Sequence, residues 1–521
     1  MPGPAGEDVR LAELVATLSL ATDLGLGQPM EHVLRSCRIA LGVGAEIGLT
    51  ERERAAAYYV TLLAWVGCTA DSAELAGRFG DDIALRADTY GIDLDGLPML
   101  AFLLRRAGAG SAPLRRARLA AAFVVTGGRA IADAMMAHCQ VASAFAEEVG
   151  LGPEVHGPLR QVFARWDGRG VPEVAGEEIA MAVRLAQLAD IVEVHHRLHG
   201  VDGAVAVAEV RSGGQFDPRL VAAFTRCAPR LLGELDDGAS WEAVIESAPA
   251  LDAALHPDEI DRVLTATGDF VDLKSPFRSG HSRAVAELAA EAGRRSGLGA
   301  DEVRDLRRAG LVHDLGRLGV PNTIWDKPGP LTAAEVERVR LHPYFAGRML
   351  TRPALLARVG ALAITHAERL DGSGYPRALP GAALGPAARV LAAADVYQAM
   401  VEPRPYRAAL PPPQAAAELR GEVRAGRLDG GAVEAVLAAA GHRAGARRVV
   451  RPGGLTAREA QVLAALARGA SNREIARRLV IAEKTVRNHV EHIYAKIDVS
   501  TRAAATLFAM RHGLVDGDSG E

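Results

Sequence analysis

The chain has 521 residues, nearly half of them apolar (49%) and few aromatic (4%), with a formal net charge of −4. That length exceeds one ordinary domain, so two to four units are expected, each with its own core. A near-neutral total excludes a uniformly basic coat for nucleic acid but not a local basic face.

Alanine, leucine and valine dominate, which favours helices packed on helices and predicts an all-α fold. Cys37, Cys68, Cys139 and Cys227 are widely scattered without C-x-x-C spacing, which fits a reduced compartment and predicts a cytoplasmic protein. The opening M-P-G-P-A-G-E-D-V-R has no basic n-region and no run of ~18 apolar residues follows, so neither a signal peptide nor a membrane partner is expected.

Along the chain, helical patterns are broken by G-A-G-S-A-P at 108 to 113 and by a Gly/Arg/Pro linker at 441 to 454. Self-similarity is more informative. With a constant offset, Asp23-Leu24 matches Asp272-Leu273, His32 matches His281, Gly48-Leu49 matches Gly297-Leu298 and Gly67 matches Gly316. Further on, W-D-G-R-G-V-P at 166 to 172 returns as L-D-G-S-G-Y-P at 370 to 376, and the helix ending near Asp190 returns around Asp395. The offset changes between blocks, so the first copy carries an insertion between about 80 and 137. Tandem helical domains over 1–245 and 250–440 are expected, then the linker 441–454 and a last domain over 455–515.

The second copy holds His281, His313, Asp314, His342, His366 and Asp395, each on or at the end of a predicted helix. Imidazoles and carboxylates without thiolates suit iron, manganese or zinc, and an aspartate beside a histidine can bridge two ions. Such a pair clamps a phosphodiester and activates water, so phosphate-ester hydrolysis is the chemistry expected. These residues, with G-H-S at 280 to 282, H-D-L-G at 313 to 316, K-P-G-P-L at 327 to 331, the G-Y-P loop and R-P-Y-R at 404 to 407, resemble the HD-GYP subfamily of HD-domain phosphohydrolases. The resemblance implies cyclic di-GMP phosphodiesterase activity and two divalent ions, iron or manganese. It implies a first ion on His281, His313, Asp314 and Asp395 and a second on Asp314, His342 and His366. It also places Asp314 and Arg317 in catalysis and Gly374, Tyr375, Pro376 and Arg407 at the substrate.

Two positions depart from the family. Its usual H-H-E-R is His366-Ala367-Glu368-Arg369 here, and the lysine after H-D-x-G is Arg317, which binds phosphate but does not give up a proton at working pH. Only four lysines stand among the sixty basic residues, so the second exchange follows the general composition. The alternative to an enzyme is an HD-GYP scaffold without turnover that serves as a ligand sensor or dimerisation module.

The first copy keeps His32 and Asp190, but His313-Asp314 maps to Ala64-Trp65 and His366 to about Val162, so no metal pair is expected there. Its role is then binding, dimerisation or sensing. His195, His196 and His199 have no carboxylate partner in view and read as a solvent-facing cluster.

Between Leu455 and Leu514 ten Arg or Lys stand against five Asp or Glu, and the linker adds four arginines. Thr456 with Glu459 and Ser471 with Glu474 form S/T-x-x-E boxes that start two helices, and Gly469 closes the first. Val462, Leu463, Leu466, Ile475, Leu479, Val486, Val490 and Ile493 recur at helical spacing as a small core. A short helix, a turn at Val480 to Ala482 and a helix from about Glu483 to Lys496 make a helix-turn-helix whose last helix enters the major groove.

This stretch resembles the LuxR/NarL/GerE family over its whole length. The resemblance implies double-stranded promoter DNA as partner, with Lys484, Thr485, Arg487, Asn488 and His489 meeting bases and phosphates and Arg473 and Lys496 meeting phosphate. Ala482 replaces the family's serine or threonine N-cap, a loss of about 1 kcal/mol. Specific affinity normally needs two half-sites, so a homodimer built on the phosphohydrolase-like domains is expected. The whole reads as a transcription regulator whose central domain hydrolyses or senses a cyclic dinucleotide.

Overall fold

A computed structural model describes residues 9–93, 96–109, 112–236, 240–249, 254–441 and 452–515. Most of the expected linker, 442–451, lies outside these residues, as do 110 and 111 of the first predicted break. Among the described residues the regular secondary structure is helical, with isolated bridges such as Phe163 with Val171 and no sheet. It divides into two compact units, Asp8–Val263 and one that contains Leu264–Glu521.

In the first unit the helix Met181–Val210 is the spine, packed by His32–Glu46, Glu51–Leu63 and Pro218–Asp236. Thr50 accepts from the Glu53 amide and Glu53 from the Thr50 amide, so Glu51–Leu63 starts where two orphan donors are met. The predicted insertion is occupied by Asp82–Thr89, Gly96–Arg106 and the long Pro113–Glu148, whose first residue suits a helix start because its missing N–H has no partner there anyway.

The second unit repeats the plan. His281–Arg295 packs on Ala300–Val312, Pro386–Val401 and Gly430–Gly441, and Ala354–Ala363 closes the far side of Ala300–Val312. Asp272 accepts from the Ser282 amide and hydroxyl, as Asp23 accepts from the Val33 amide, so the matched aspartates hold the first turn of the matched helices. The matched glycines share a constraint as well. A side-chain carbon at Gly316 would lie 1.9 Å from His342 O, and one at Gly67 would lie 2.1 Å from His138 O. His138 is therefore the first bundle's counterpart of His342.

At the C-terminus, Ala457–Ala467, Asn472–Leu479, Glu483–Ile497 and Arg502–Arg511 form four short helices. Both boxes, Thr456 with Glu459 and Ser471 with Glu474, form reciprocally. Val462, Leu463, Leu466, Ile475, Val486 and Ile493 are buried, whereas Leu479 and Val490 are half-buried. Ala482 stands at the N-cap of Glu483–Ile497 without a side-chain hydrogen bond.

Candidate metal centre and DNA-binding face

The expected ligands arrive from separate elements. His281 opens one helix, His313 and Asp314 follow the end of Ala300–Val312, His342 opens His342–Met349, His366 follows Ala354–Ala363, and Asp395 projects from Pro386–Val401. All six meet. His281 Nε2 is 3.2 Å from Asp395 Oδ1, and His342 Nε2 is 3.6 Å from Asp314 Oδ1. Asp314 belongs to two groups of donors, one with His281 and His313, the other with His342 and His366.

The tautomers identify what these nitrogens are for. Nδ1 of His313, His342 and His366 lies 2.8, 2.7 and 2.8 Å from the carbonyls of Gly310, Val339 and Ala363. A carbonyl only accepts, so each Nδ1 carries the proton and each Nε2 keeps a lone pair. Nε2 of His313 is buried without a hydrogen-bond partner, 3.5 Å from Asp314 Oδ2 and 3.6 Å from Asp395 Oδ1. Two of these lone pairs, on His342 and His366, face one another at 3.0 Å. Buried lone pairs converging with carboxylates repel unless a cation lies among them, so the donor set fits divalent metal. Burial keeps all three rings neutral, with His366 pushed down to about 3 by burial and by the neighbouring His313.

Two groups that complete the site carry no motif signal of their own. Glu402 accepts from His281 Nδ1 at 2.8 Å, the carboxylate–histidine pairing that fixes a ligand's ring. Burial opposes its charge, but His281, Arg404 and Arg278 pull it down to about 2. It follows Asp395 by seven residues, two helical turns, and that spacing was the available signal. Arg278 is buried against the Asp314 carboxylate, with Arg317 and Arg404 nearby.

Arg317 stacks on Trp325, its guanidinium carbon 3.4 Å from the ring centre and its Nε 3.8 Å from Asp314 Oδ2. Burial lowers it to about 10, helped by Arg404, so it is still protonated at neutral pH. Tyr375 sits with its ring 6.0 Å from that of His342, and the loop bearing Gly374, Tyr375 and Pro376 is pinned by Glu368, which accepts from the amides of Arg377 and Leu379. Arg407 is directed elsewhere than expected. Its guanidinium donates to the carbonyls of Ala399, Met400 and Glu402 at the end of Pro386–Val401, where helix carbonyls lack intrahelical partners, and to that of Ala408.

In the first bundle His32 Nε2 keeps the contact with Asp190, at 3.0 Å, and its Nδ1 meets Glu193 at 2.5 Å. The Trp65 indole donates to the same Asp190 oxygen at 2.8 Å, and His138 Nε2 is 2.7 Å from Ala64 O. Among the described residues, groups of donors able to hold a metal occur only in the second bundle. The three-histidine cluster differs from a uniform solvent face. His196 is buried and paired with Asp236 at 3.1 Å, His195 is half-buried against Tyr90 O at 3.2 Å, and His199 alone is exposed. Asp236 lies forty residues away, which hid the partner from local reading.

On the C-terminal domain Arg473, Lys484, Thr485, Arg487 and Asn488 are exposed and His489 is half-buried. Lys496 is exposed too, but its ammonium pairs with Glu459 at 2.7 Å.

The comparisons with known proteins agree with this geometry. Residues 266–431 match the family model described as HD domain, and residues 454–509 match that described as bacterial regulatory proteins, luxR family. The chain is 32% identical over 409 residues to 3′3′-cGAMP-specific phosphodiesterase 3 of Vibrio cholerae, covering 77% of this chain and 88% of the relative. It is 41% identical over 127 residues to the cyclic di-GMP phosphodiesterase response regulator RpfG of Xanthomonas campestris, covering 24% and 33% of the two chains. A crystal structure of a cyclic GMP-AMP specific phosphodiesterase from V. cholerae superposes with a TM-score of 0.58 at 27% identity, over 86% of this chain and 99% of that one.

The chain belongs to the HD-GYP phosphodiesterases of the HD-domain phosphohydrolase family. It joins a metal-dependent domain of that class to a luxR-type DNA-binding domain, which makes it a DNA-binding regulator. Among the described residues, no helix is long and apolar enough to cross a membrane.

Proposed function

We propose that the second bundle binds two divalent ions, iron or manganese, and hydrolyses a 3′,3′-linked cyclic dinucleotide, while the C-terminal domain reads promoter DNA. The observation that carries this reading is the convergence of three Nε2 lone pairs on Asp314. His281, His313, Asp314 and Asp395 would hold one ion, and Asp314, His342 and His366 the other. Bound ions of this kind supply Lewis acidity and an activated water for attack on phosphorus. The chain's own part is charge and shape. Arg278, Arg317 and Arg404 surround the carboxylates with positive charge suited to phosphate oxygens, and Tyr375 offers a ring beside His342 for a base. The motif resemblance points to cyclic di-GMP, and the relative covering most of its own length points to the mixed cyclic GMP-AMP.

The division into 1–245, 250–440 and 455–515, a homodimer on two half-sites and a cytoplasmic location belong to the same reading. All four cysteines are buried and unbridged, which supports the location. Coupling between nucleotide and DNA is supported by Ser279, one residue from Arg278, whose hydroxyl donates to Ala467 O at 2.7 Å, at the end of the first helix of the DNA-binding domain. A ligand couples the two only by favouring one arrangement over the other.

Metal content and hydrolysis of both cyclic dinucleotides, measured on one anaerobically purified sample, test the proposal. About two metals per chain with linear dinucleotide as product support it. Metal without turnover favours a sensor that has kept its ligands, a reading to which Ala367 in place of the family's histidine lends weight. Absence of metal overturns both.

A further inference from the structure

The first bundle, which has no metal ligands to spare, has a partly open cavity of about 490 Å³. Trp65, Tyr90 and Asp190 line its base, at the position where the second bundle gathers its histidines. Leu75, Phe79, Met99, Leu103 and Ile131 form its walls. Three of these come from Gly96–Arg106 and Pro113–Glu148, segments of the insertion that the second bundle lacks. The volume is that of an ordinary small-molecule site.

Charge decides what can enter. Asp190 is met by His32, by the Trp65 indole and, at 3.3 Å, by the Tyr90 hydroxyl. Each arginine of the described lining is likewise engaged. Arg86 pairs with Asp71 and Asp82, Arg165 with Asp93 and Asp167, Arg78 with Glu74 and Arg169 with Asp167, while Arg211 donates to Tyr90 O. At every lining arginine but Arg211 a phosphodiester would have to break an ion pair, without a metal to replace it. Unfilled apolar space of this size is unfavourable in a folded protein, whereas a molecule that covers the walls removes that penalty.

We infer that this cavity is a binding site for an uncharged, predominantly apolar small molecule, a ligand class different from the anionic phosphodiester of the second bundle. The ligand enters the space left by the lost metals and touches Met99, Leu103 and Ile131 of the insertion between about 80 and 137. The site would let the regulator read a second chemical signal.

The test uses the full-length protein and N-phenyl-1-naphthylamine, an uncharged apolar dye whose fluorescence rises on leaving water. One dye per chain is expected, with affinity falling at least tenfold in Ile131→Trp, which fills the cavity, and in Leu75→Asp, which charges its wall. His313→Ala in the other bundle should leave dye binding unchanged. Circular dichroism and DNA binding check that both variants fold, and the two alter the site by different means, so one folded variant suffices. Unchanged dye affinity in a folded variant, displacement of the dye by cyclic di-GMP, or no dye binding by the wild type would each overturn the inference.

Discussion

The rings of His342 and His366 face each other nitrogen to nitrogen, Nε2 to Nε2 at 3.0 Å, while each Nδ1 is tied to the main-chain carbonyl three residues before it. Neither ring can turn to relieve the contact without giving up a buried hydrogen bond. The arrangement is held ready for a cation. Metal binding should therefore raise the thermal midpoint of the second bundle, and chelation should lower it, because a ligand that binds only the folded state stabilises it. Calorimetry with and without chelator checks this; a midpoint indifferent to metal would show that the rings are held apart by something else.

Asp314 is shared between the two donor groups, whereas His366 belongs to one. Asp314→Ala should strip most metal, and His366→Ala should leave about one ion per chain. Elemental analysis distinguishes this from the equal losses that two independent sites would give.

Glu402→Ala should leave every ligand in place yet free the His281 ring. Loss of such an orienting carboxylate typically weakens metal affinity by roughly ten- to a hundredfold. Hydrolysis should then recover at high metal concentration, which a variant damaged in folding would not do.

Gly316→Ala and Gly67→Ala present the same clash in the two bundles, a new carbon about 2 Å from a carbonyl oxygen. The first should abolish metal binding by pushing out the turn that starts with His342. The second should destabilise the first bundle while metal content stays at the wild-type level.

In the first bundle, burial pushes the His32 imidazole down, but hydrogen bonds and attraction from Asp190 and Glu193 outweigh it and raise the ring to about 10. A raised imidazole stabilises fully below its unfolded value of about 6.5, and that contribution is lost as pH rises through the folded value. The stability gap between wild type and His32→Gln should therefore be largest near pH 6 and close by about pH 10. A gap that widens over this range would mean that the ring is neutral.

On the DNA-binding domain, Arg487→Ala or Asn488→Ala should cost about 1–3 kcal/mol on a specific site if these residues read base edges, whereas Arg473→Ala should weaken all sequences alike and reduce the salt slope by about 1. Lys496→Ala has a different signature, since its ammonium already pairs with Glu459. It should lower domain stability more than it changes the salt slope. Titrations at several salt concentrations separate the cases.

The repeat, the helical class and the six donor residues that come together could be read from the sequence, because helix starts, paired landmarks and donor type are local or periodic properties. Asp23 and Asp272 were visible as matched positions, and the structure gives them matched work at helix N-termini. Who partners whom across space was not legible. Arg278 on Asp314, Glu402 on His281 and Asp236 on His196 join residues tens of positions or more apart, and spacing does not say which buried charge a side chain will reach. Arg407 resembles a substrate ligand from its motif, yet its guanidinium donates to the carbonyls at a helix end. His138 lacked a motif and became the partner of Ala64 only when the insertion folded back beside Gly67. The sequence alone thus determined the elements, their duplication and the chemistry on offer, because these follow from local propensity and residue type. The tertiary structure decided which polar groups neutralise one another and where space is left over, because burial makes every charge depend on neighbours that the chain brings in from far away.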